Sequence, residues 1–348
     1  MAILSPKFGL RAGRLVLLIA CVVAGPLAAA SDDRLALRNH NPFLQIFGLP
    51  TFQSATLAGK GELEYDFSAE LTNHADSGEN ASETLMLDGE TYSFTMSLRR
   101  RMAARLELGI DLPIISHQDG FLDNVIKEWH SFLGVSNFNR RGPSNELEFM
   151  YAGPGDNRYE LTSSSTGIGD IQLTAAIPLK EASDTDGRAL TVRSSIKLPT
   201  GDETKLHGSG ALDFSVGLYA SDTRTFLERD LDLSAFLGGL VLGDGDVLPG
   251  LQRSTVPFGG FAAKWQATER LGILTQIYAQ GEYFDSDLEE IGDGTFQLGV
   301  GIDYHLPRQG ISLAIAIAED PLSDTTPDFA IQFSIRSARS SSRPTLLE

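Results

Sequence analysis

Residues 62–71 alternate polar and apolar side chains without interruption. The polar positions are Glu62, Glu64, Asp66, Ser68 and Glu70, and the apolar positions are Leu63, Tyr65, Phe67, Ala69 and Leu71. Successive side chains of a β-strand point to opposite faces, so this period of two predicts a strand with one apolar and one acidic face. Such a strand fits the edge of a soluble sheet, and it fits an outer-membrane barrel with lipid outside and water in the lumen.

The same alternation recurs along the whole chain. Eleven more segments show it, at about 91–99, 105–112, 170–177, 190–198, 213–219, 230–237, 255–266, 271–282, 296–305, 311–318 and 328–336. The segment at 255–266 is rich in glycine, and a change of face near Gly259 and Gly260 predicts a possible bulge. Twelve strands, most longer than the ~5–6 residues usual in soluble sheets, match the ~9–11 residues that a tilted membrane strand needs.

The connections between the predicted strands alternate in length. The odd-numbered ones are generally longer, whereas several even-numbered ones have only a few residues, such as 100–104, 267–270 and 307–309. Outer-membrane barrels combine an even number of strands with short periplasmic turns and long outer loops. The pattern therefore predicts an all-β fold, a transmembrane antiparallel barrel of about 12 strands over residues 57–336, with both ends in the periplasm. Two soluble β-sandwiches with charged outer faces are the alternative.

The N-terminus is typical of an export signal. Three basic residues, Lys7, Arg11 and Arg14, precede an apolar run of about ten residues, and small residues around Ala30 suit cleavage. The run is too short for a membrane-spanning helix. We therefore expect residues 1–30 to be a signal peptide, with lipidation at Cys21 as the alternative, and we expect localisation in the cell outer membrane.

The net charge of the chain argues against nucleic acid as a partner. The chain carries 28 basic and 46 acidic residues, and removing residues 1–30 with their three cations changes the net charge from −18 to −21 (25 minus 46). So acidic a protein is a poor nucleic-acid binder. The expected partners are membrane lipid, lipopolysaccharide and the barrel-assembly machinery, while the oligomeric state is open.

We take the charged residues of the polar faces as candidates for the lumen lining, because burying them in a soluble core would carry a large desolvation cost. These lumen candidates are Glu62, Glu64, Asp66, Arg99, Arg105, Glu107, Asp111, Arg193, Lys197, Asp303 and His305. The apolar faces, rich in Leu, Ile, Val and Phe, are predicted to face lipid.

Two segments depart from the alternation. Residues 31–56 form an N-terminal periplasmic or lumenal extension, which either plugs the lumen or docks loosely outside. Residues 121–134, in the long connection at 116–168, have the spacing of an amphipathic helix. This outer-loop helix folds into the barrel mouth, lies at the membrane surface or packs on its own loop, and Trp129, Arg140 and Arg141 are candidate gate residues. The tail at 337–348 is polar.

Several motifs resemble a known family. They are RNHNPFLQIFGLP near residue 38, the segment from DLPIISHQDG to FNRRG, STGIGDIQLTAAIPL, and KLPTGD with a following GSG. Together they resemble an uncharacterised outer-membrane β-barrel family of Gram-negative bacteria, a domain of unknown function. The resemblance covers about 38–336 and implies fold and location but no reaction.

The search for chemistry predicts no catalytic residues, metal site or cofactor. Ser116, His117 and Asp119 are neighbours on a loop, which rarely makes a triad, and Gly208-Ser209-Gly210 lacks the strand–turn–helix context of a nucleophile elbow. We therefore interpret the chain as a channel or transport barrel for small or amphipathic solutes. A lipid-acting hydrolase and a structural or adhesive barrel are the alternatives. A continuous water path would favour transport, and a packed lumen with a rim Ser/His pair would favour the enzyme.

Overall fold

The computed structural model describes Leu35 and residues 38–120, 146–183, 185–319, 325–326 and 329–337. Within those residues, no helix has both the length and the apolar character needed to cross a membrane. The predicted helix at 121–134 and the gate candidates Trp129, Arg140 and Arg141 lie outside the described residues.

Twelve antiparallel strands form a closed barrel, as the alternation predicted. They are β1 (Leu63–Glu79), β2 (Thr84–Ala103), β3 (Leu106–Gln118), β7 (Gln172–Lys180), β8 (Arg188–Lys197), β9 (Asp213–Phe226), β10 (Arg229–Val241), β11 (Thr255–Gln266), β12 (Leu271–Gln280), β13 (Thr295–Leu306), β14 (Ile311–Glu319) and β15 (Phe329–Ser337). Each pairs with the next, and β15 closes the barrel on β1 with Ala69 opposite Phe333. Closure removes the unpaired edges that an open sheet would leave.

The two faces of the barrel follow the alternation of the sequence. On β13, Leu298, Val300 and Ile302 are exposed on the outside, while the intervening Gly299 and Gly301 are buried on the inside. β14 repeats the pattern with exposed isoleucines outside and buried alanines inside. The outer surface of the barrel is thus apolar.

The two ends of the barrel differ in their connections. Short turns at 104–105, 181–187, 227–228, 267–270 and 307–310 lie at what we call the turn end, together with the start of β1 and the end of β15. The opposite loop end carries the connections 119–171, 198–212, 242–254, 281–294 and 320–328. A 3-10 turn (Glu203–Lys205) and a short helix α1 (Glu289–Gly292) lie in two of these.

The first connection is shorter than the interval between the alternating segments at 62–71 and 91–99. β1 and β2 continue through most of that range and pair up to Glu79 and Thr84, so only four residues join them. The hairpin therefore projects at the loop end. There β2 also pairs with β4 (Glu148–Ala152), which forms a small hairpin with β5 (Arg158–Leu161). β6 (Ser165–Ile168) continues the pairing along β3.

The possible bulge at Gly259 and Gly260 is not formed. β11 pairs with β10 in continuous register, and its face alternation is unbroken. Packing explains the glycine instead, because a Cβ on Gly260 would clash with the carbonyl oxygen of Ile277 and would lie 2.6 Å from the ring of Phe236. The glycine therefore marks a close approach of the neighbouring strand and of an inward-pointing ring.

The main core lies inside the barrel. Its buried cluster joins apolar residues of the N-terminal extension to aromatic and aliphatic side chains on the inner faces of β9–β12 and on the loop-end connections. Leu35 and residues 38–58, here called the plug, contribute the extension's part. The plug enters beside Gln276 in mid-strand, turns at the loop end and descends to the start of β1.

Candidate functional site

The plug is packed into the lumen by aromatic contacts. The ring of Phe47 stacks on Tyr283 at 4.9 Å between centroids, and the ring of Phe52 meets Phe236 edge-on at 4.5 Å. Both phenylalanines are 3 % exposed or less. Burying a side chain of this size is worth about 1.5–3 kcal/mol, so the apolar stretch that the sequence left without a partner is satisfied inside the barrel.

A buried lysine binds the plug near the loop end of the barrel. Lys197 Nζ lies 2.8 Å from Asp170 Oδ2 and 3.0 Å from Asp213 Oδ2, and it donates to the carbonyl oxygen of Ile46 at 3.0 Å. Gly48 N–H donates to Asp213 Oδ2 at 2.8 Å. A Cβ on Gly48 would lie 2.9 Å from the Asp213 Cβ, so the close approach requires glycine there.

The sequence motifs converge on this lysine. Asp170 ends the GIGD motif, Lys197 begins KLPTGD, and Ser209 is the serine of the following GSG. Lys197 Nζ donates to Ser209 Oγ, and Asp170 accepts hydrogen bonds from the backbone of Thr200, Gly201 and Ser209. The motifs therefore build a buried ionic cluster that joins the plug to the loop at 198–212.

A second group of polar contacts holds the plug nearer the turn end of the lumen. Arg193 donates to Ser54 O and Gln53 Oε1, each at 3.0 Å, and pairs with Glu107 Oε1 at 2.8 Å. Glu107 also accepts a hydrogen bond from Ala58 N–H at 2.7 Å. The descending arm of the plug is thus held by two charged side chains of the wall.

The plug leaves room on one side. A cavity of about 1020 Å³, counting the space open to solvent, lies between the descending arm and the inner faces of β1, β2, β3 and β15. Its charged lining residues are Arg38, Glu64, Asp66, Glu70, Arg99, Glu107, Asp111, Asp170, Arg193 and Arg336. The plug contributes Leu49 and Phe52 to the facing wall. One wall is therefore charged and the other partly apolar.

The charged wall is organised as ion pairs. Arg99 binds both carboxylate oxygens of Asp111, at 2.8 and 2.9 Å, and Arg336 lies 3.8 Å from Asp66. On the far side of the lumen Lys264 pairs with Asp303 at 2.8 Å, with both side chains at most 6 % exposed. We expected a watery lumen to solvate these groups, but most are buried and neutralised by a partner of opposite charge.

The lumen candidates occupy different places. Glu64, Asp66, Arg99, Glu107, Asp111 and Arg193 line the cavity, Lys197 holds the plug, and Asp303 pairs with Lys264. His305 lies near the turn end of β13, with Nδ1 3.4 Å from Ser312 Oγ. Glu62 and Arg105 lie in turns at the rim, outside the lumen wall, because β1 begins at Leu63 and β3 at Leu106.

A row of histidines lies under the loop end. Thr91 Oγ1 joins His74 Nε2 at 3.1 Å to His117 Nδ1 at 2.9 Å, and the ring of His117 stacks on His207 at 5.7 Å. His207 Nε2 lies 3.1 Å from Ser165 Oγ. Burial lowers the pKa of His207, in the connection 198–212, below its usual value, and the positive charge of Lys205 lowers it further against the opposing effect of Asp202. At neutral pH this ring is therefore uncharged.

The serine candidates of the sequence do not form a triad. Ser116 and His117 lie on opposite faces of β3 and bond to different partners, Thr166 and Thr91. Ser209 is fully buried against Lys197. In the described part of the chain, no three His, Cys, Asp or Glu side chains come together as a metal site.

Sequence reasoning missed two residues that line the cavity, Arg38 and Glu70, and a third, His40, that pairs with Glu70. Arg38 and His40 come from the plug, and Glu70 comes from β1; His40 Nε2 lies 2.9 Å from Glu70 Oε2. Glu70 was visible as a polar position in the first alternating strand. The position of the two plug residues could not be read from a segment without periodicity.

A family model described as "Protein of unknown function (DUF3187)" matches residues 14–338, and the chain belongs to this family. The fold and the membership agree with the resemblance found in the sequence. The comparison with curated proteins gives no match.

Among solved structures, the chain is similar to the COG4313 outer membrane channel from Pseudomonas putida F1, with a TM-score of 0.51 and 12 % identity over 81 % of this chain and 97 % of that chain. It is also similar to the NanC porin, with a TM-score of 0.43 and 8 % identity over 80 % of this chain and 100 % of that one. At 12 % identity, the likeness to the COG4313 channel shows the fold, which is that of outer-membrane barrels.

Proposed function

We propose that this chain is an outer-membrane transport barrel that passes small or amphipathic solutes through the lumen beside its plug. The observation that carries the proposal is the partly open cavity between the plug and the charged wall, which is lined by side chains of both. A barrel that served only as a scaffold would gain stability by filling this space. The lining combines charged groups with Leu49 and Phe52, which suits solutes that have a polar and an apolar part.

The outer surface supports a membrane location. Large apolar side chains are exposed around the whole barrel, including Phe67, Phe94, Ile177, Phe214, Leu237, Phe261, Val300, Ile315 and Phe333. Contiguous exposed apolar surface of this extent marks contact with lipid or a partner, and an apolar band on a closed barrel fits the hydrocarbon layer. In this proposal the band contacts membrane lipid.

The transport proposal is tested with neighbouring residues of β2 that face opposite ways. Thr95 lines the cavity, whereas Phe94 is half exposed on the outer face. Thr95→Trp should therefore reduce conductance in planar bilayers several-fold, while Phe94→Trp should leave it near the wild-type value. Both proteins should keep the gel-mobility shift of a folded barrel. A wild-type protein without conductance or solute uptake, or equal effects of the two tryptophans, would contradict the proposal.

A lipid-acting hydrolase is the second candidate, because one observation favours it. Ser165 Oγ and the uncharged ring of His207 lie 3.1 Å apart at the loop end. Against it, no carboxylate among the described residues accepts a hydrogen bond from the other nitrogen of His207, which a triad would use to orient the ring. Fluorescent phospholipid turnover that Ser165→Ala abolishes would favour the hydrolase; conductance without turnover favours transport.

A further inference from the structure

Two cavities of the lumen meet at the same pair of residues. A second, much smaller cavity, with room for about one water molecule, lies against β14 and β15, and its lining shares Arg38 and Glu70 with the large one. The remainder of its lining is His40, Gln332 and the small or aliphatic residues Ala316, Ile317, Ala318, Ala330 and Ile331. Since Ala318 pairs with Ala330 beside the connection 320–328, the smaller cavity extends toward the loop end.

The partition between the cavities is a fixed polar group. His40 Nε2 lies 2.9 Å from Glu70 Oε2, and the two side chains are 6 % and 7 % exposed. Each comes from a different part of the molecule, the plug and β1. Glu70 lines both cavities and His40 lines the smaller one, so the pair lies where the two cavities meet.

Arg38 differs from the other arginines of the large cavity. Arg99 is held by Asp111 and Arg193 by Glu107, each at 2.8 Å, and Arg336 lies 3.8 Å from Asp66. By contrast, Arg38 makes no hydrogen bond, and no ion pair within 4 Å, with any residue that the structure describes. Arg38 is partly exposed and lines both cavities. Within the described part of the chain, no partner therefore competes with a solute for its donors.

The chemistry of the surroundings indicates what such a solute looks like. A guanidinium binds a carboxylate or a similar anion with two parallel hydrogen bonds. In the same cavity the plug presents Leu49 and Phe52, which suit an apolar body. Polar recognition at Arg38 and apolar contact with the plug together describe an organic anion with a short hydrocarbon part.

We propose that Arg38, His40 and Glu70 form the constriction between the two cavities and that Arg38 binds the anionic group of a small amphipathic organic anion there. This inference rests on the proposed transport function. It assigns a specificity-determining role to Arg38, while His40 and Glu70 set the opposite side of the constriction.

The experiment measures block of single-channel current by hexanoate in planar bilayers containing the full mature protein. Hexanoate should block the wild-type channel, whereas hexan-1-ol and hexylammonium, which have the same chain length, should not. Arg38→Gln should raise the hexanoate concentration needed for half block by about tenfold, the effect of losing one charge-assisted interaction. Arg38→Lys should retain part of the block, since it keeps the charge but loses the planar fork.

A matched control removes an arginine outside both cavities. Arg253 lies at the loop end, 44 % exposed and paired with Glu282 and Asp285. Arg253→Gln removes the same charge and should leave the hexanoate block unchanged. Glu70→Gln removes the negative charge of the constriction and should raise the permeability of chloride relative to potassium, measured as the reversal potential in a salt gradient.

A second variant covers the case in which Arg38→Gln fails to assemble. Gln332 lines the smaller cavity with Arg38, so Gln332→Glu supplies an internal carboxylate that competes for the guanidinium. It should weaken the hexanoate block in the same direction. A conducting wild type whose block is unaltered by Arg38→Gln, or by Gln332→Glu in its place, would overturn the inference, whereas a wild type without conductance would overturn the transport function itself.

Discussion

The two sides of the lumen differ although their outer surfaces are alike. On one side, the inner faces of β9–β12 fill the lumen with rings, where Tyr219, Phe236 and Tyr278 are each at most 4 % exposed. On the other side, β1–β3 and β15 present charged pairs around an open cavity. Strand pairing, tilt and stagger close a barrel, and contact with lipid constrains only its outer face. The inner face can therefore be tightly packed on one side and open on the other.

The plug connects these two sides. The ring of Phe52 in the plug packs against Phe236 on the aromatic side. Phe52 and Leu49 also line the cavity on the open side. The aromatic side thus fixes the position of the wall that the solute would touch. Rigid packing behind a partly open site is the arrangement that holds binding groups in place.

The largest expected effect comes from breaking the aromatic side. Phe236 contacts Phe52, Tyr219, Phe258 and Tyr278, so Phe236→Ala should destabilise the folded barrel by about 3–5 kcal/mol. The readout is the temperature at which the folded band of the detergent-solubilised protein disappears on gels.

The matched change on the open side is Thr95→Ala, which borders the cavity. It should cost well under 1 kcal/mol, since most surface substitutions lie within about 0.5 kcal/mol. Equal losses for Phe236→Ala and Thr95→Ala would show that the two sides of the lumen are packed alike.

The sequence predicted the exterior better than the interior. On β13 and β14 the alternation identified the outward Val300 and Ile315 because the inner positions there are small or polar. On β10 and β11 the inner positions include Phe236 and Phe258, so both faces are apolar and the period of two fades. The inward aromatic residues were therefore missed, although the flanking glycines carried a signal.

The plug and the constriction lay beyond sequence reasoning for a different reason. The apolar residues of the plug, such as Phe47, have no period, and their partners lie far away in the chain, with Tyr283 as one example. The pairing of His40 with Glu70 likewise depends on where the plug enters the barrel. Only the three-dimensional path of the segment decides such contacts, whereas strand register is local information.

An intermediate loss of stability is expected when an arginine is placed on the outer face of the barrel wall, but not when it is placed on the inner face. Val300 is 45 % exposed on the outer face of β13, so Val300→Arg should cost about 2–4 kcal/mol if that face meets the middle of the bilayer. Thr95→Arg places the same side chain in the cavity, among existing charges. The amount of folded barrel recovered in membrane fractions measures both. Equal recovery of the two variants would contradict the assignment of the outer face to lipid.

A smaller and local effect concerns the loop end, where Glu83 joins the β1–β2 hairpin to the connection 281–294. It accepts hydrogen bonds from Tyr151, from Ser286 Oγ at 2.8 Å and from the backbone N–H of Asp287 at 2.9 Å. Burial raises the pKa of Glu83, but these hydrogen bonds, with one from Asn80, outweigh it and hold the pKa below the usual value. A depressed carboxyl pKa stabilises the fold above the unfolded pKa of about 4.3, and this stabilisation is lost as the pH falls through the folded value.

Glu83→Gln should therefore weaken the contact between the hairpin and the connection 281–294 by on the order of 1 kcal/mol at neutral pH. The stability of this contact should then no longer depend on pH near 4. Hydrogen exchange of the backbone N–H of Asp287 is the measurement, because that group donates directly to Glu83. Wild-type exchange should accelerate on acidification, beyond the intrinsic change, while the variant should exchange faster at pH 7 and show no such step. Since Glu83 lies at the loop end and outside both cavities, hexanoate block of the channel should stay as in the wild type. A change in block would mean that the hairpin, and not the constriction alone, controls passage on the open side of the lumen.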